Sequence, residues 1–233
     1  MWRRVLRVAK FGAAVLAGGE SRRAGSGNNK AFMSLRGKQL IKYVVERAAE
    51  AAGEVIVVIK KSGNPAEYRH LLPEKIQVVC DDVSGKGPLA GFVSGMKGLD
   101  VEYAVVLACD MPFVKPTVLK YLLKRAEDDR ADLAIPRWPN GYIEPLQAVY
   151  KAASTLREAK DALEKDERKI AALIQRLKRI IYVPVVEIEV YDPPLLTFFN
   201  VNTGEDLEKA EGLLEVRGTV NGCQPPSRSP QPP

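Results

Sequence analysis

Short β-branched runs that alternate with amphipathic segments predict an α/β fold with three layers and a mostly parallel central sheet. The run Glu54–Ile59, EVIVVI, is typical of a strand that is covered on both faces. Segments with helical spacing follow such runs at regular intervals, and glycine-rich loops join them. This order is that of right-handed βαβ units, so we expect helices on both faces of one sheet.

The first half of the chain predicts four strands and two helices. The apolar run at residues 13–16 predicts a buried first strand. Residues 38–52 predict a helix, because apolar side chains recur at helical spacing before Gly53. Pro88 suits the first turn of a second helix over residues 88–97. Further short apolar runs predict strands at residues 54–59, 76–80 and 103–109.

The second half is less regular. Predicted there in order are a helix at 116–129, a strand at 131–135, a strand at 146–150, a helix-rich stretch at 154–179 that is broken near 165–168, an edge strand at 182–190 and a helix at 205–214. Gly, Pro, Ser and Gln dominate the C-terminal end, where little apolar surface is available for burial. We therefore predict a single domain over residues 1–217 and a disordered Pro-rich tail over residues 218–233.

The composition excludes several classes of protein. The chain has 233 residues, of which 46% are hydrophobic and 27% charged, which is enough for one well-buried core. The net charge is +6, but Lys and Arg occur in runs of at most two and alternate with acidic residues. This distribution favours an anionic small substrate over nucleic acid. No apolar segment approaches the length of a membrane span, and Lys10 interrupts the signal-like N-terminal segment.

The three cysteines, Cys80, Cys109 and Cys223, form neither a metal-binding spacing nor a disulfide framework. We therefore expect a reducing, cytoplasmic environment, without insertion into a membrane. We also expect a monomer or a weak oligomer.

A glycine-rich loop after the first strand predicts a polyphosphate site. Gly18 and Gly19 allow a sharp turn and a close approach to a ligand, and Arg22, Arg23 and Lys30 follow in the same loop. Backbone N–H groups together with fixed cations are what a polyphosphate needs. The loop has neither the GxGxxG spacing nor the GxxxxGK[ST] pattern. The alternative interpretation is an ordinary turn between a strand and a helix, with cations on the surface.

Two further loops follow predicted strands. Asp110, in CDMPF, stands where a strand ends, and it either binds Mg²⁺ or caps the following turn. Asp81 and Asp82 precede GKGPLAG, in which Gly87 begins a helix whose backbone donors can face a nucleotide. The spacing does not distinguish Asp81 from Asp82. Because all three loops follow the carboxyl ends of strands, we expect them to meet at one edge of the sheet.

Other polar residues can reach the same edge. Glu144, Asn200 and Asn202 stand near strand ends or turns, and Thr203 reads as a helix cap. The only histidine, His70, is far from every glycine-rich motif, so no Ser-His-Asp or Cys-His set can be built around it. These features favour the transfer of a phosphoryl-type group to a nucleophile that is already anionic.

Together these motifs resemble the molybdenum cofactor guanylyltransferases, also called molybdopterin-guanine dinucleotide biosynthesis protein A. The matching segments are LAGGESRRAG at 16–25, Lys30-Ala31, GPLAG at 87–91, CDMPF at 109–113, EPLQAVY at 144–150 and FNVNT at 199–203. The resemblance implies a Rossmann-like nucleotidyltransferase fold. It also implies transfer of GMP from GTP to molybdopterin or the molybdenum cofactor, with release of pyrophosphate and with Mg²⁺ as the cofactor.

The resemblance further implies roles for individual residues. It places the guanine nucleotide on Leu16, Ala17, Gly18, Gly19, Lys30, Asp81, Gly87 and Asp110. Arg23, Lys30 and Asp110 would be catalytic, with Asp110 also holding Mg²⁺. Asn200, Asn202 and Glu144 would contact the acceptor.

Several alternatives stay open. A related enzyme could transfer CMP to molybdopterin, or GMP to adenosylcobinamide phosphate, and the chain could also be a nucleotide-binding module without activity. A role in nucleic-acid binding would require steeply salt-dependent affinity, which we do not expect. Transient contact with proteins that deliver the acceptor or receive the product is also left open.

Overall fold

The computed structural model describes residues 9–18, 29–81 and 87–220. Within these ranges the strands are β1 (Ala9–Leu16), β2 (Ser34–Leu35), β3 (Lys38–Gln39), β4 (Glu54–Ile59), β5 (Gln77–Cys80), β6 (Val101–Ala108), β7 (Leu133–Arg137), β8 (Gln147–Lys151) and β9 (Ile180–Pro184). The helices are α1 (Leu40–Ala51), α2 (Pro65–Arg69), α3 (Gly87–Gly98), α4 (Pro116–Asp128), α5 (Ala152–Glu164), α6 (Ile170–Ile174), α7 (Val185–Ile188) and α8 (Gly204–Val220). Single 3₁₀ turns occur at Lys30–Phe32 and Leu196–Phe198.

The main sheet of the described residues has seven strands in the order β5-β4-β1-β6-β8-β7-β9. The four strands from β5 to β6 are parallel to their neighbours. β8 runs antiparallel to both β6 and β7, and β9 pairs in parallel with β7 at the other edge. The predicted mostly parallel sheet is confirmed.

Helices cover both faces of this sheet. Successive side chains along each central strand point to opposite faces, so each strand packs against helices on both sides. Val105 and Leu107 of β6 pack on the face that α1 and α4 cover. Ala104 and Val106 pack on the face that α3, α5 and α6 cover, and all four residues are fully buried. The predicted three-layer α/β fold is therefore also confirmed. None of the helices in the described ranges is both long and apolar enough to cross a membrane.

Several predicted elements differ from the structure near their ends. The helix predicted from Lys38 begins at Leu40, because Lys38 and Gln39 form β3, which pairs with β2 in a small hairpin. Its turn residues, Arg36 and Gly37, both have positive φ, at 50° and 75°. Such a turn matches the twist of a hairpin.

The strand predicted at residues 182–190 is wrong beyond Pro184. β9 spans Ile180–Pro184, and α7 follows directly, with Pro184 as its N-cap at φ −58°. Proline has no N–H to continue the strand pairing, and its fixed φ suits the start of a helix. The β-branched residues after it therefore form a helical turn, in which Val186 is 63% exposed.

The last helix also differs from its prediction, because α8 spans Gly204–Val220 and crosses the predicted domain end at residue 217. The predicted tail, residues 218–233, therefore begins within a helix. Residues 221–233 lie outside the described part of the chain, so disorder there stays a prediction.

Candidate active site

The carboxyl ends of β1 and β6 lie side by side at one edge of the sheet. Leu16 pairs with Ala108 in the parallel register, and the backbone N–H of Cys109 donates to the carbonyl of Leu16 at 3.2 Å. Asp110 follows at once, so it stands at the edge where α/β sheets bind ligands. The predicted position of Asp110 just past a strand is confirmed.

Lys30 contacts both Asp110 and Asn202, and we call these three residues the Lys30 cluster. The ammonium Nζ lies 3.1 Å from Oδ2 of Asp110 and 2.5 Å from Oδ1 of Asn202. The backbone N–H of Val201 donates to the carbonyl of Asp110 at 2.8 Å, which holds the segment carrying Asn202 against the end of β6. The side chains of Lys30 and Asp110 are only 15% and 14% exposed. Water and salt therefore screen this ion pair less than one on the open surface.

The other carboxylate oxygen of Asp110, Oδ1, is buried and has no hydrogen-bond partner among the described residues. A buried carboxylate oxygen is costly unless a cation or a donor meets it. Within the described ranges no group of three or more His, Cys, Asp or Glu side chains could hold a metal ion. Mg²⁺ does not need such a group, since it usually binds one or two carboxylates together with substrate phosphates and water. The unpaired Oδ1 of Asp110 therefore fits the role of one oxygen ligand of a Mg²⁺ ion.

The predicted nucleotide loop is described only at its two ends. The backbone N–H of Ala17 donates to the carbonyl of Val58 at 2.7 Å, and the methyl group of Ala17 packs in the core. A Cβ added to Gly18 would make only ordinary van der Waals contact, so the chain path itself does not require glycine there. Gly19 and Arg23 lie outside the described residues, and their predicted contacts with a nucleotide stay predictions.

Asn29 holds the start of the turn that carries Lys30. Its Oδ1 accepts the backbone N–H of Ala31 at 3.1 Å, and its Nδ2 donates to the hydroxyl of Tyr68. Tyr68 is 2% exposed, and its ring packs against Phe32 with the centroids 4.7 Å apart. Burial raises the pKa of the Tyr68 phenol to about 12. Tyr68 was not predicted as a site residue, because α2 is too short to show an apolar period in the sequence.

Asp81 lies at the same edge but away from the Lys30 cluster. Its backbone N–H donates to the carbonyl of Ile59 at 2.8 Å, and its Oδ1 accepts the hydroxyl of Ser94 at 3.2 Å. β4 and β1 separate β5 from β6, so Asp81 is roughly 14 Å from the cluster across the sheet. The alternative residue, Asp82, lies outside the described part of the chain.

Gly87 begins α3 in a conformation that favours glycine. Its φ is +69°, and an added Cβ would lie 2.9 Å from the carbonyl oxygen of Arg168. The backbone N–H of Leu89 donates to the same carbonyl at 3.3 Å. Packing against the segment between α5 and α6 thus explains this glycine, and the predicted contact of Gly87 with a nucleotide stays a prediction.

A capping box fixes the segment that carries the two asparagines. Oδ2 of Asp206 accepts the backbone N–H groups of Asn202 and Thr203, both at 3.0 Å, and the backbone N–H of Asp206 donates to the Thr203 hydroxyl at 3.2 Å. The backbone hydrogen bond from Asn202 is the main reason why the pKa of Asp206 is lowered. The predicted cap at Thr203 is confirmed. Asn200 is half-buried, and its Nδ2 donates to the carbonyl of Phe198 at 3.1 Å.

Glu144 reaches the same edge of the sheet near the end of β7. Its backbone N–H donates to the carbonyl of Pro136 at 3.1 Å, and its Oε1 accepts the indole Nε1–H of Trp138 at 2.8 Å. Burial raises the pKa of the Glu144 carboxyl, and the indole hydrogen bond partly opposes this effect. No hydrogen bond within the described ranges joins Glu144 to the Lys30 cluster. Glu144 was predicted as a site residue, whereas Trp138, which lies just past the end of β7, was not.

Comparison with known proteins identifies the family. A family model described as the MobA-like NTP transferase domain matches residues 13–180. The chain belongs to this family. The matched region of this MobA-like transferase includes the second half of β1, Lys30 and Asp110, while Asn200 and Asn202 lie beyond it.

Individual relatives agree with this assignment. The chain is 34% identical over 204 residues to a probable molybdenum cofactor guanylyltransferase of Methanosarcina mazei, covering 86% of this chain and 89% of that protein. A probable molybdenum cofactor guanylyltransferase of Pyrococcus furiosus is 35% identical over 205 residues, covering 87% and 97% of the two chains. The crystal structure of molybdopterin-guanine dinucleotide biosynthesis protein A from Archaeoglobus fulgidus superposes with a TM-score of 0.75 at 35% identity, covering 88% of this chain and 99% of that one.

A buried polar network supports this edge of the MobA-like transferase. Gln147 is fully buried, and its Nε2 donates to Oγ1 of Thr197 at 2.6 Å. The same Oγ1 accepts the backbone N–H of Lys115 at 3.2 Å, and the backbone N–H of Thr197 donates to Asp192 at 2.7 Å. These bonds tie the turn at Leu196–Phe198 to β8 and to the start of α4. This network was not predicted from the sequence, since its members are far apart in the chain.

Proposed function

We propose that this protein is a guanylyltransferase that transfers GMP from GTP to molybdopterin, or to its molybdenum-loaded form, and releases pyrophosphate. Membership in the MobA-like NTP transferases supports nucleotidyl transfer. The names of the relatives from Methanosarcina mazei and Archaeoglobus fulgidus support a guanylyl group and a molybdopterin acceptor. The structural observation that carries the proposal is the Lys30 cluster, in which a cation and a carboxylate with one unpaired buried oxygen meet beside an asparagine.

The proposed reaction needs alignment and charge neutralisation, but no strong base. The terminal phosphate of the acceptor is already an anion, and one of its oxygens attacks the α-phosphorus of GTP. A new P–O bond forms, and the bond to the bridging oxygen breaks, so pyrophosphate leaves with the electron pair. His70, the only histidine, is exposed at the end of α2 and is not part of the Lys30 cluster. Burial raises the pKa of the Cys109 thiol, which makes a thiolate nucleophile unfavourable there.

Lys30 and Asp110 would have different roles at the α-phosphate. Lys30, fixed by Asp110 and Asn202, would stabilise the negative charge that develops on the phosphate oxygens. Asp110 would hold Mg²⁺ through Oδ1 while Oδ2 keeps Lys30 in place. When bound, Mg²⁺ supplies positive charge that offsets the phosphates and the leaving group. Arg23, in the loop before Asn29, would bind the phosphates from another side.

The donor would lie along the edge from β5 to β6. The backbone of Leu16, Ala17, Gly18 and Gly19 would contact the guanine nucleotide, with Gly87 near the same loops. Asp81 would contact the nucleoside end, since three strand spacings separate it from the Lys30 cluster. This distance suits the two ends of one extended nucleotide.

The acceptor would lie on the other side of the Lys30 cluster. Asn202 and Asn200 would contact the acceptor near its phosphate, because the hydrogen bond from Val201 to Asp110 holds their segment beside the end of β6. Glu144 would contact the acceptor farther along the same edge. We also propose that the reaction takes place in the reducing cytoplasm, where cysteine thiols remain reduced.

The test is a product assay with purified protein, molybdopterin, Mg²⁺ and either GTP, CTP or ATP. With GTP we expect a guanine dinucleotide and an equal amount of pyrophosphate. With CTP or ATP we expect no product. Asp110→Asn should lose this product, whereas Asp161→Asn, on the exposed side of α5, should retain it. Product from CTP instead, or only from adenosylcobinamide phosphate, would contradict the assignment. GTP binding without any release of pyrophosphate would indicate a binding module.

A further inference from the structure

A continuous path of contacts leads away from the Lys30 cluster toward the end of β7. Nδ2 of Asn200 donates to the carbonyl of Phe198 at 3.1 Å. The Phe198 ring packs edge-to-face against Trp138, with the centroids 5.5 Å apart. The indole Nε1–H of Trp138 donates to Oε1 of Glu144 at 2.8 Å. Glu144 is therefore the outer end of a row of side chains that begins beside the cluster.

The sheet sets the distance between the two ends of this row. β8 lies between β6, which ends two residues before Asp110, and β7, whose Pro136 carbonyl accepts the backbone N–H of Glu144. Neighbouring strands are about 4.8 Å apart, so Glu144 lies roughly 10 Å from Asp110 across the sheet. An acceptor whose phosphate lies at the Lys30 cluster would thus reach Glu144 with the far end of an elongated ring system.

Among the described residues, the carboxylate of Glu144 accepts a hydrogen bond from one side chain only. Trp138 holds Oε1, and Oε2 accepts no hydrogen bond from the described residues. The side chain is half-buried, and this burial raises the pKa of the Glu144 carboxyl, because water solvates the charge poorly. A ligand that offers two adjacent N–H groups would satisfy both oxygens.

We propose that Glu144, oriented by Trp138, binds the 2-amino-4-oxopyrimidine edge of the acceptor's pterin ring. This edge carries a ring N–H and an exocyclic amino group side by side, which a carboxylate can bind through two parallel hydrogen bonds. The inference rests on the proposed function, since it assigns the ring end of the acceptor. Guanine carries a similar edge, but the donor nucleoside is assigned near Asp81, on the opposite side of the Lys30 cluster.

A comparison of pterin and lumazine binding distinguishes recognition of this edge by Glu144 from general packing against the ring. Lumazine is the pteridine with oxygen in place of the 2-amino group, so it lacks one of the two donors. Each is titrated into the protein without GTP, and binding is followed by quenching of tryptophan fluorescence. We expect pterin to bind about tenfold or more tightly than lumazine. Glu144→Gln should abolish this preference, whereas Glu74→Gln, at an exposed site before β5, should keep it.

Steady-state kinetics provide a second readout. Glu144→Gln should raise the KM for molybdopterin about tenfold or more while the KM for GTP stays within about twofold. Trp138→Phe keeps an aromatic ring but removes the N–H group that orients Glu144. It should raise the KM for molybdopterin by a smaller factor, again without a change in the KM for GTP.

Equal binding of pterin and lumazine by the wild-type protein would overturn the proposal, and so would an unchanged preference in Glu144→Gln. If Glu144→Gln does not fold, an unchanged KM for molybdopterin in Trp138→Phe would overturn it. The proposed function fails on a different result, which is the absence of GMP transfer by a wild-type protein that still prefers pterin.

Discussion

Lys30 and Asp110 form an ion pair at the carboxyl edge of the sheet, with Nζ 3.1 Å from Oδ2, although 80 residues separate them in the sequence. Asn202 contacts the same ammonium group. Since the pair uses only one oxygen of Asp110, the buried Oδ1 has no hydrogen-bond partner among the described residues. A fixed positive charge and an unpaired carboxylate oxygen thus lie next to each other, and under the proposed function that oxygen would hold Mg²⁺.

Replacing Lys30 with Met should reduce kcat about 100-fold or more, because the α-phosphate loses a fixed cation in a poorly screened site. The measurement is the initial rate of pyrophosphate release with saturating GTP and molybdopterin. Lys120→Met, at an exposed site on α4, removes the same charge elsewhere and should keep the wild-type rate. A Lys30→Met enzyme with near wild-type kcat would show that Lys30 has no role in the chemical step.

Replacing Asp110 with Asn should abolish the effect of Mg²⁺ on nucleotide binding. In the wild-type protein, Mg²⁺ should increase the rise in Tm that GTP produces, because any ligand bound only by the folded state stabilises it. An amide in place of the carboxylate binds Mg²⁺ poorly, so the Tm of Asp110→Asn with GTP should be the same with and without Mg²⁺. Asp161→Asn serves as the control. A full Mg²⁺ effect in Asp110→Asn would place the metal elsewhere.

Replacing Tyr68 with Phe should lower kcat about fivefold, because Asn29 loses the hydroxyl that fixes the turn before Lys30. The aromatic contact with Phe32 would remain, so the change should affect the position of Lys30 more than the core. The measurement is kcat together with the KM for GTP. Unchanged kinetics would mean that Asn29 holds the turn without Tyr68.

The same variant tests the environment of the phenol. The folded-state pKa of about 12 is above the ordinary value near 10, so the folded state keeps the proton more tightly than the unfolded state. This contribution to stability is complete below about pH 10 and is lost as the pH rises toward 12. The difference in free energy of unfolding between wild type and Tyr68→Phe should therefore shrink over that interval. A constant difference would contradict burial of the ionisable hydroxyl.

Replacing Asp206 with Ala should destabilise the protein by about 1 kcal/mol at neutral pH, because α8 loses half of its capping box. The folded-state pKa of Asp206 is lowered, so its contribution is present above the ordinary value near 3.9 and is lost as the pH falls through the folded-state value. Urea unfolding should show a larger difference from wild type at pH 7 than at pH 3. Glu205→Gln, exposed in the same turn, should show little difference at either pH.

The sequence predicted the sheet well, because its central strands are covered on both faces. In Glu54–Ile59 five of the six residues are buried, and a run that is apolar on both faces is typical of a strand between two layers of helices. The sequence also predicted one common edge for three sites, because the carboxyl ends of parallel strands lie at the same edge of a sheet. These sites are Asp81, Asp110 and the first glycine loop. The error at residues 182–190 arose because β-branched composition outweighed Pro184, which ends the strand.

The contacts within the site could not be predicted in the same way. Lys30 and Asn202 are 172 residues apart, and their contact depends on a turn held by Tyr68 and on the cap at Asp206. No local sequence pattern predicts a contact between residues so far apart. Trp138 was missed for the same reason, because its role depends on Glu144 folding back over the end of β7.

The most direct test of the central claim is to follow the α-phosphate of GTP. Purified protein is incubated with molybdopterin, Mg²⁺ and GTP labelled at either the α- or the γ-phosphate, and the products are separated. We expect the α-label to enter a guanine dinucleotide of molybdopterin and the γ-label to leave in pyrophosphate, in equal amounts. Release of the γ-label as free phosphate, with no α-label in the acceptor, would contradict guanylyl transfer.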